Sequence, residues 1–67
     1  MATAKVIEIS AESDASFDDA IKQGIRDAGK TVKNIKSAWV KDQEVMVSND
    51  AVTSYRVHLK VTFVVGG

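Results

Sequence analysis

Two hydrophobic periods divide this chain into its elements. Lys5-Val6-Ile7-Glu8-Ile9-Ser10 alternates, with Ile7 and Ile9 on one face and Val6, Glu8 and Ser10 on the other, which predicts a strand. Ala11-Glu12-Ser13-Asp14-Ala15 is short and polar and reads as a loop. The period then lengthens. Phe17, Ile21, Gly24, Ile25 and Ala28 recur at spacings of three and four, a single apolar stripe on a helix from about Phe17 to about Ala28. Ser16 stands where an N-cap hydroxyl accepts from the free amides of the first turn, and Asp18 and Asp19 suit the positive end of the helix dipole. Gly29 is expected to close the helix as a left-handed C-cap. Gly24 on the apolar stripe costs roughly 1 kcal/mol against Ala, which points to close approach of helix and sheet.

Period two returns in the second half. A strand from about Lys33 or Asn34 to about Val47 places Ala38 and Val40 opposite Ser37, Trp39 and Lys41. Ser48-Asn49-Asp50 is turn chemistry, since Asn and Asp tolerate positive φ. From about Ala51 to Val65 the alternation is at its cleanest. Tyr55, Val57, Leu59, Val61, Phe63 and Val65 form one face; Ser54, Arg56, His58, Lys60 and Thr62 form the other. Gly66-Gly67 reads as a tail. The order β-α-β-β predicts an α+β domain spanning residues 1–67, a three-stranded antiparallel sheet wrapped on one helix. Its second face carries Ser37, Trp39, Arg56, His58 and Lys60.

Composition narrows what such a unit can be. A domain of 67 residues buries only about 60% of the surface its unfolded chain exposes, so the core needs help. The chain has no cysteine and one histidine, which excludes disulfides, thiolate sites and a histidine cage within one chain. Self-association is the help that remains, and it would also cover the open sheet edges. Nine basic residues balance nine acidic ones, which argues against nucleic acid as partner. No apolar run approaches the ~20 residues that span a bilayer, and no secretory leader is visible, so a soluble cytoplasmic protein with no membrane partner is expected.

The segments Lys5–Ile9, Ser16-Phe17-Asp18-Asp19-Ala20-Ile21, Thr31-Val32-Lys33-Asn34-Ile35, Val40-Lys41-Asp42-Gln43 and Tyr55–Phe63 together resemble the dodecin family over nearly the whole chain. The resemblance implies a hollow, roughly spherical homododecamer with its helices outside and a curved sheet within. Flavin-binding members hold paired flavins at subunit junctions, for storage and photoprotective quenching. There a strand Trp stacks on the isoalloxazine ring and a Gln after the last strand's Tyr bonds its polar edge. The stacking Trp aligns with Ser37 here, Trp39 falls two residues later at a position typically Glu, and the Gln aligns with Arg56. Asp42 and Gln43 match family residues near the pocket. A Tyr-Arg pair also occurs in a branch without the flavin sandwich that is linked to calcium.

The resemblance thus makes Ser37, Trp39, Asp42, Gln43 and Arg56 the candidate cofactor-binding residues, with FMN, riboflavin or FAD as the cofactor, no catalytic residues and no metal ligands. The residues themselves leave alternatives open. Trp39 either fills an intersubunit contact or stacks on a flat ligand. Arg56 either pairs with an acidic residue of a neighbouring subunit or grips a phosphate or carboxylate. His58 has no evident Ser, Cys or carboxylate partner, so it reads as a strand residue and not a catalytic base. Asp42, Glu44 and Asp50 lack the spacing of a calcium loop. A shell that has lost flavin and binds a cation or phosphate-bearing cofactor, or is purely structural, is the other reading. With no nucleophile–base pair and no phosphate-cradling glycine run, an enzyme is not expected. With Trp39 the one aromatic on its face, neither is an RNA-reading sheet.

Overall fold

The structure, a computed structural model, describes residues 3–66; Gly67, read above as the tail's last residue, lies outside them. Strand β1 (Thr3–Ser13) leads through helix α1 (Phe17–Ala28) to β2 (Ile35–Ser48) and β3 (Ala51–Val65). All pairings are antiparallel and the strand order is β1-β3-β2, so the strand with the cleanest alternation lies in the middle. Asn49 and Asp50, both at positive φ, make the two-residue link between β2 and β3.

The core is small. Ala20 of the helix and Val57, Leu59 and Val61 of β3 are fully buried, with Ile7, Ile9, Ala11, Phe17, Ile21, Ile25 and Ile35 packed around them. Each of the three strand side chains contributes about 1.5–3 kcal/mol relative to exposure. Helix residues Ala20, Gly24 and Ala28 stand four apart, a row of small side chains. Their size lets the backbone approach β1: a Cβ added to Gly24 would lie 2.9 Å from the Ala11 Cβ. The close approach expected from Gly24 is thus present, while Ala20, outside the expected stripe, is the helix's most buried apolar side chain. At the rim, the Phe17 ring meets that of Tyr55 edge-on at 5.1 Å.

Two expectations need correction. The segment read as a loop from Ala11 continues β1 to Ser13, with Ala11 opposite Val57, Glu12 opposite Arg56 and Ser13 opposite Tyr55. Ala11 keeps the inward alternation of Ile7 and Ile9, and Glu12 gains a cross-strand cation, so pairing outweighs local polarity. Gly29 is not left-handed. It is right-handed at φ −64°, and the chain coils on, with the Gly29 amide donating to the Ile25 carbonyl at 2.9 Å and the Val32 amide to that of Ala28 at 2.9 Å. The positive φ falls instead at Asn34, immediately before β2.

The expected N-cap is present and belongs to a wider network. The Ser16 hydroxyl accepts from the Asp19 amide at 2.9 Å. The buried Ser13 hydroxyl donates to the Asp19 carboxylate at 2.6 Å and accepts from the Ala15 amide at 3.0 Å. The Gln23 amide donates to the same carboxylate oxygen at 2.7 Å. The Ser13 hydroxyl, followed by the Gln23 amide, holds the Asp19 carboxyl below the usual range.

Candidate functional site

Helix α1 covers one face of the sheet, over β1 and β3, and the other face is open. The register arranges that open face in rows of three across β1, β3 and β2. Val6, Thr62 and Ser37 form one row; Glu8, Lys60 and Trp39 the next; then Ser10, His58 and Asp42; then Glu12, Arg56 and Glu44. Of the candidate residues, Ser37, Trp39, Asp42 and Arg56 therefore share this face. Gln43 does not, since it pairs with Val57 on the helix side.

A bulge between Val40 and Asp42 creates this grouping. Strict alternation from Trp39 would carry Lys41 and Gln43 to its face and send Asp42 to the other. One extra residue resets the parity, so Asp42 and Glu44 join Trp39. Nothing in the hydrophobic pattern marks the bulge, because Lys41-Asp42-Gln43-Glu44 is polar throughout.

Charges on the face interlock across the strands. The Arg56 Nε and Nη2 donate to Glu12 Oε1 at 2.9 and 2.8 Å, and its Nη1 lies 3.5 Å from Glu44 Oε1. The hydrogen bond to Glu12, its charge and then Glu44 raise the guanidinium's pKa above its already high ordinary value. Arg56 is thus paired within its own chain, an outcome that neither reading of the sequence, a neighbouring subunit's acid or a ligand's phosphate or carboxylate, names. His58 Nε2 lies 3.3 Å from that same Glu44 oxygen and 3.7 Å from Asp42 Oδ1. The carboxylate partners that the sequence did not reveal for His58 come from β2, through the bulge. Lys41 Nζ reaches Glu8 Oε1 at 3.2 Å. These side chains are solvent-exposed enough that the pairs fix geometry more than they add stability.

Trp39 is the exception to this neutralised surface. Its side chain is 67% exposed, with Lys60 Nζ 5.5 Å from the ring centroid. A cation over indole at such a site contributes about 0.5–1 kcal/mol. Beside it, Glu8, Lys41, Asp42 and His58 rim a hollow of about 310 Å³, at the lower end of the range for small-ligand sites and open to solvent. A larger hollow of about 450 Å³ lies at the β1 edge of the sheet, between α1 and β1. Among the described residues, no three or more His, Cys, Asp or Glu side chains are arranged to hold a metal ion, and no helix is long and apolar enough to cross a membrane. Asp50 sits in the β2–β3 turn and not on the face with Asp42 and Glu44.

One helix in the grip of a three-stranded antiparallel sheet, with a charged and aromatic sheet face left open, defines a class of small β-α-β-β proteins. The dodecin family model matches residues 3–66, so the chain belongs to the dodecin family. It is similar to calcium dodecin of Mycobacterium tuberculosis, 32% identical over 63 residues that cover 94% of this chain and 89% of the relative. The crystal structure of that calcium-chelating antigen, described as having a novel calcium-binding site, superposes with a TM-score of 0.81. It is 31% identical, with 91% of this chain and 87% of that one covered. A dodecin from Streptomyces davaonensis is similar at a TM-score of 0.93 and 26% identity, covering 98% of this chain and 97% of that one. The β-α-β-β α+β fold expected from the sequence is the dodecin fold.

Proposed function

We propose that this chain is a subunit of a hollow homo-oligomer, a dodecamer by family likeness, that binds and stores a planar heteroaromatic ligand of the flavin type without turning it over. The observation that carries this reading is Trp39, whose large ring stands exposed on the open sheet face with a cation beside it. Tryptophan is enriched where a ligand or partner covers its large ring while its polar edge stays accessible. The open hollow next to it needs a second surface to enclose a ligand, which a neighbouring copy of the same face supplies. A cytoplasmic location goes with this reading.

The fit to a flavin is specific in its parts. Trp39 supplies a stacking platform, and FMN or FAD, more than riboflavin, suits the ammonium of Lys60. Ser37, one row from Trp39, offers a hydroxyl and no ring. Arg56 is committed to Glu12 and Glu44, so it frames the site and does not reach for the isoalloxazine edge. Asp42 lies on the same face, while Gln43 belongs to the helix side and takes no part within its own chain. Titration of FMN and riboflavin, followed by flavin fluorescence, tests the assignment. Saturable quenching that Trp39→Leu abolishes supports it; equal quenching by Trp39→Leu would remove Trp39 from the site.

The M. tuberculosis relative favours a second reading, a cation-binding shell. Glu8, Glu12, Asp42 and Glu44 supply oxygens on the open face, but within one chain they engage Lys41, Arg56 and His58. A cation would therefore draw its oxygens from several copies. Calcium calorimetry on the assembled particle separates the two readings: heat saturating with calcium and no flavin quenching selects this one.

A further inference from the structure

The chain's net charge of zero conceals a segregation along it. Five of its nine basic residues, Lys22, Arg26, Lys30, Lys33 and Lys36, fall between positions 22 and 36, where Asp27 is the one acid. Lys22 and Arg26 lie four residues apart on α1, and Lys30 stands four further on. The coil reaches that far, because the Gly29 and Val32 amides still donate to the Ile25 and Ala28 carbonyls. At about 3.6 residues per turn, this spacing sets the three cations in one row. The row lies opposite the side of α1 that buries Ala20 and Gly24, and its three residues are exposed, as is Lys33 beyond them.

The helix dipole explains only part of this ridge. It favours cations near the C-terminus, which suits Arg26 and Lys30. Lys22 stands mid-helix, and Lys33 follows the coil beyond the last turn over which the dipole acts. Among the described residues, Lys22, Arg26 and Lys33 make no ion pair. Lys30 has the exposed Asp27 at 3.3 Å, a contact that solvent weakens. In the first turn Asp18 and Asp19 mark the ridge's limit, and the Asp19 carboxylate is held by Ser13 and Gln23. On the open sheet face, Glu8, Glu12, Asp42 and Glu44 are engaged by Lys41, Arg56 and His58. Those acids lie beyond both the sheet and a helix of ~10 Å diameter, about one Debye length at 0.1 M salt. An anion at the ridge therefore responds to the local positive excess and not to the neutral sum.

We propose that this outer face of α1, led by Lys22, Arg26, Lys30 and Lys33, binds the phosphate backbone of duplex nucleic acid without reading its sequence. The partner's chemistry follows from what the face has and lacks. Its aligned cations suit a duplex, which releases condensed counterions when its phosphates are neutralised. Gln23 and Gly29 complete the face, so no apolar or aromatic side chain is there to enter a bilayer or stack on an unpaired base. Three lysines to one arginine supply point charges with little of the forked geometry that reads base edges. The proposal does not depend on flavin binding. On the homo-oligomer proposed above, each copy brings one ridge, and ridges that meet the same duplex add through effective concentration.

Fluorescence anisotropy tests this with two labelled duplexes of unrelated sequence, each about 20 base pairs or two helical turns, titrated with the assembled protein. Both should bind alike at ~50 mM salt and weaken by at least about 10²-fold at ~200 mM, the loss that four phosphate contacts entail. Lys33→Gln, outside the helix, should reduce the salt slope by about one. The combined variant Lys22→Gln/Arg26→Gln/Lys30→Gln/Lys33→Gln should lose binding while its far-UV dichroism and particle mass stay as in the wild type. No binding by the wild type at ~50 mM salt, or equal binding by the combined variant, would overturn the proposal. An unchanged salt slope in Lys33→Gln would remove that residue from the ridge. Binding to vesicles of equal phosphatidylserine and phosphatidylcholine, with none to either duplex, would replace nucleic acid with a membrane surface.

Discussion

Gly24→Ala sets helix propensity against helix–sheet packing, and the structure decides which wins. An alanine in a helix interior gains about 1 kcal/mol over glycine. Here the added methyl would lie 2.9 Å from the Ala11 Cβ, while the Leu59 and Ile9 methyls at 3.6 and 3.7 Å are ordinary contacts. The Ala11 Cβ is fixed to the β1 backbone and cannot rotate away, so α1 must lift from the sheet. Overpacking of this kind costs about 1–3 kcal/mol. The net expectation is a loss of about 0–2 kcal/mol, with roughly 4–8 °C in Tm for each kcal/mol in a domain this small. Urea unfolding followed by far-UV dichroism reads it, at one fixed protomer concentration because association shifts apparent stability. Ala11→Gly removes the obstructing methyl at about 0.5–1 kcal/mol in a strand. In the double variant the helix gain should reappear, with a coupling of about 1 kcal/mol or more between the sites. If Gly24→Ala alone stabilised by the full propensity gain, and the two changes were additive, close packing would not be why glycine stands there.

Three further outcomes are expected. Ser16→Ala removes the N-cap acceptor of the Asp19 amide and should lower stability by about 1 kcal/mol in the same urea assay, whereas Ser16→Asn should largely retain it. Asp19 titrates below the ordinary carboxylate range in the fold. Its contribution is therefore fully present above about pH 4 and is lost as the pH falls through that lowered value. Asp19→Asn should lower the melting temperature at pH 7 and shrink the difference between melts at pH 7 and pH 3; an unchanged difference would remove Asp19 from the acid response. Arg56→Met takes the cation from between Glu12 and Glu44, and its stability should depend less on salt than the wild type's in melts at low and high ionic strength.

The elements were legible where one residue's neighbours along the chain determine its surroundings. Tyr55 to Val65 alternates because β3 is central and has helix on one side and the open face on the other. Ser16 and the stripe of α1 are likewise local signals. What escaped reading depends on partners far along the chain. Glu12 reads as loop until Arg56, forty-four residues later, is placed opposite it. The grouping of Asp42 and Glu44 with Trp39 needs the bulge after Val40, and a bulge is a property of the strand pair and not of either sequence. Simple alternation would group Trp39 with Gln43, the reverse of the observed arrangement around Asp42. Gly29 has the residue type for a left-handed cap, but further turns continue the coil and move the reversal to Asn34.

Sedimentation velocity with detection at a flavin absorption band tests the central claim most directly, because it reads particle size and ligand in one boundary. With FMN added, flavin absorbance should travel with a particle of many subunits, at a fixed ratio to protein, and Trp39→Leu should leave the particle intact but colourless. Flavin that stays at the meniscus while wild-type protein sediments as the large particle would contradict a flavin-binding shell built on Trp39.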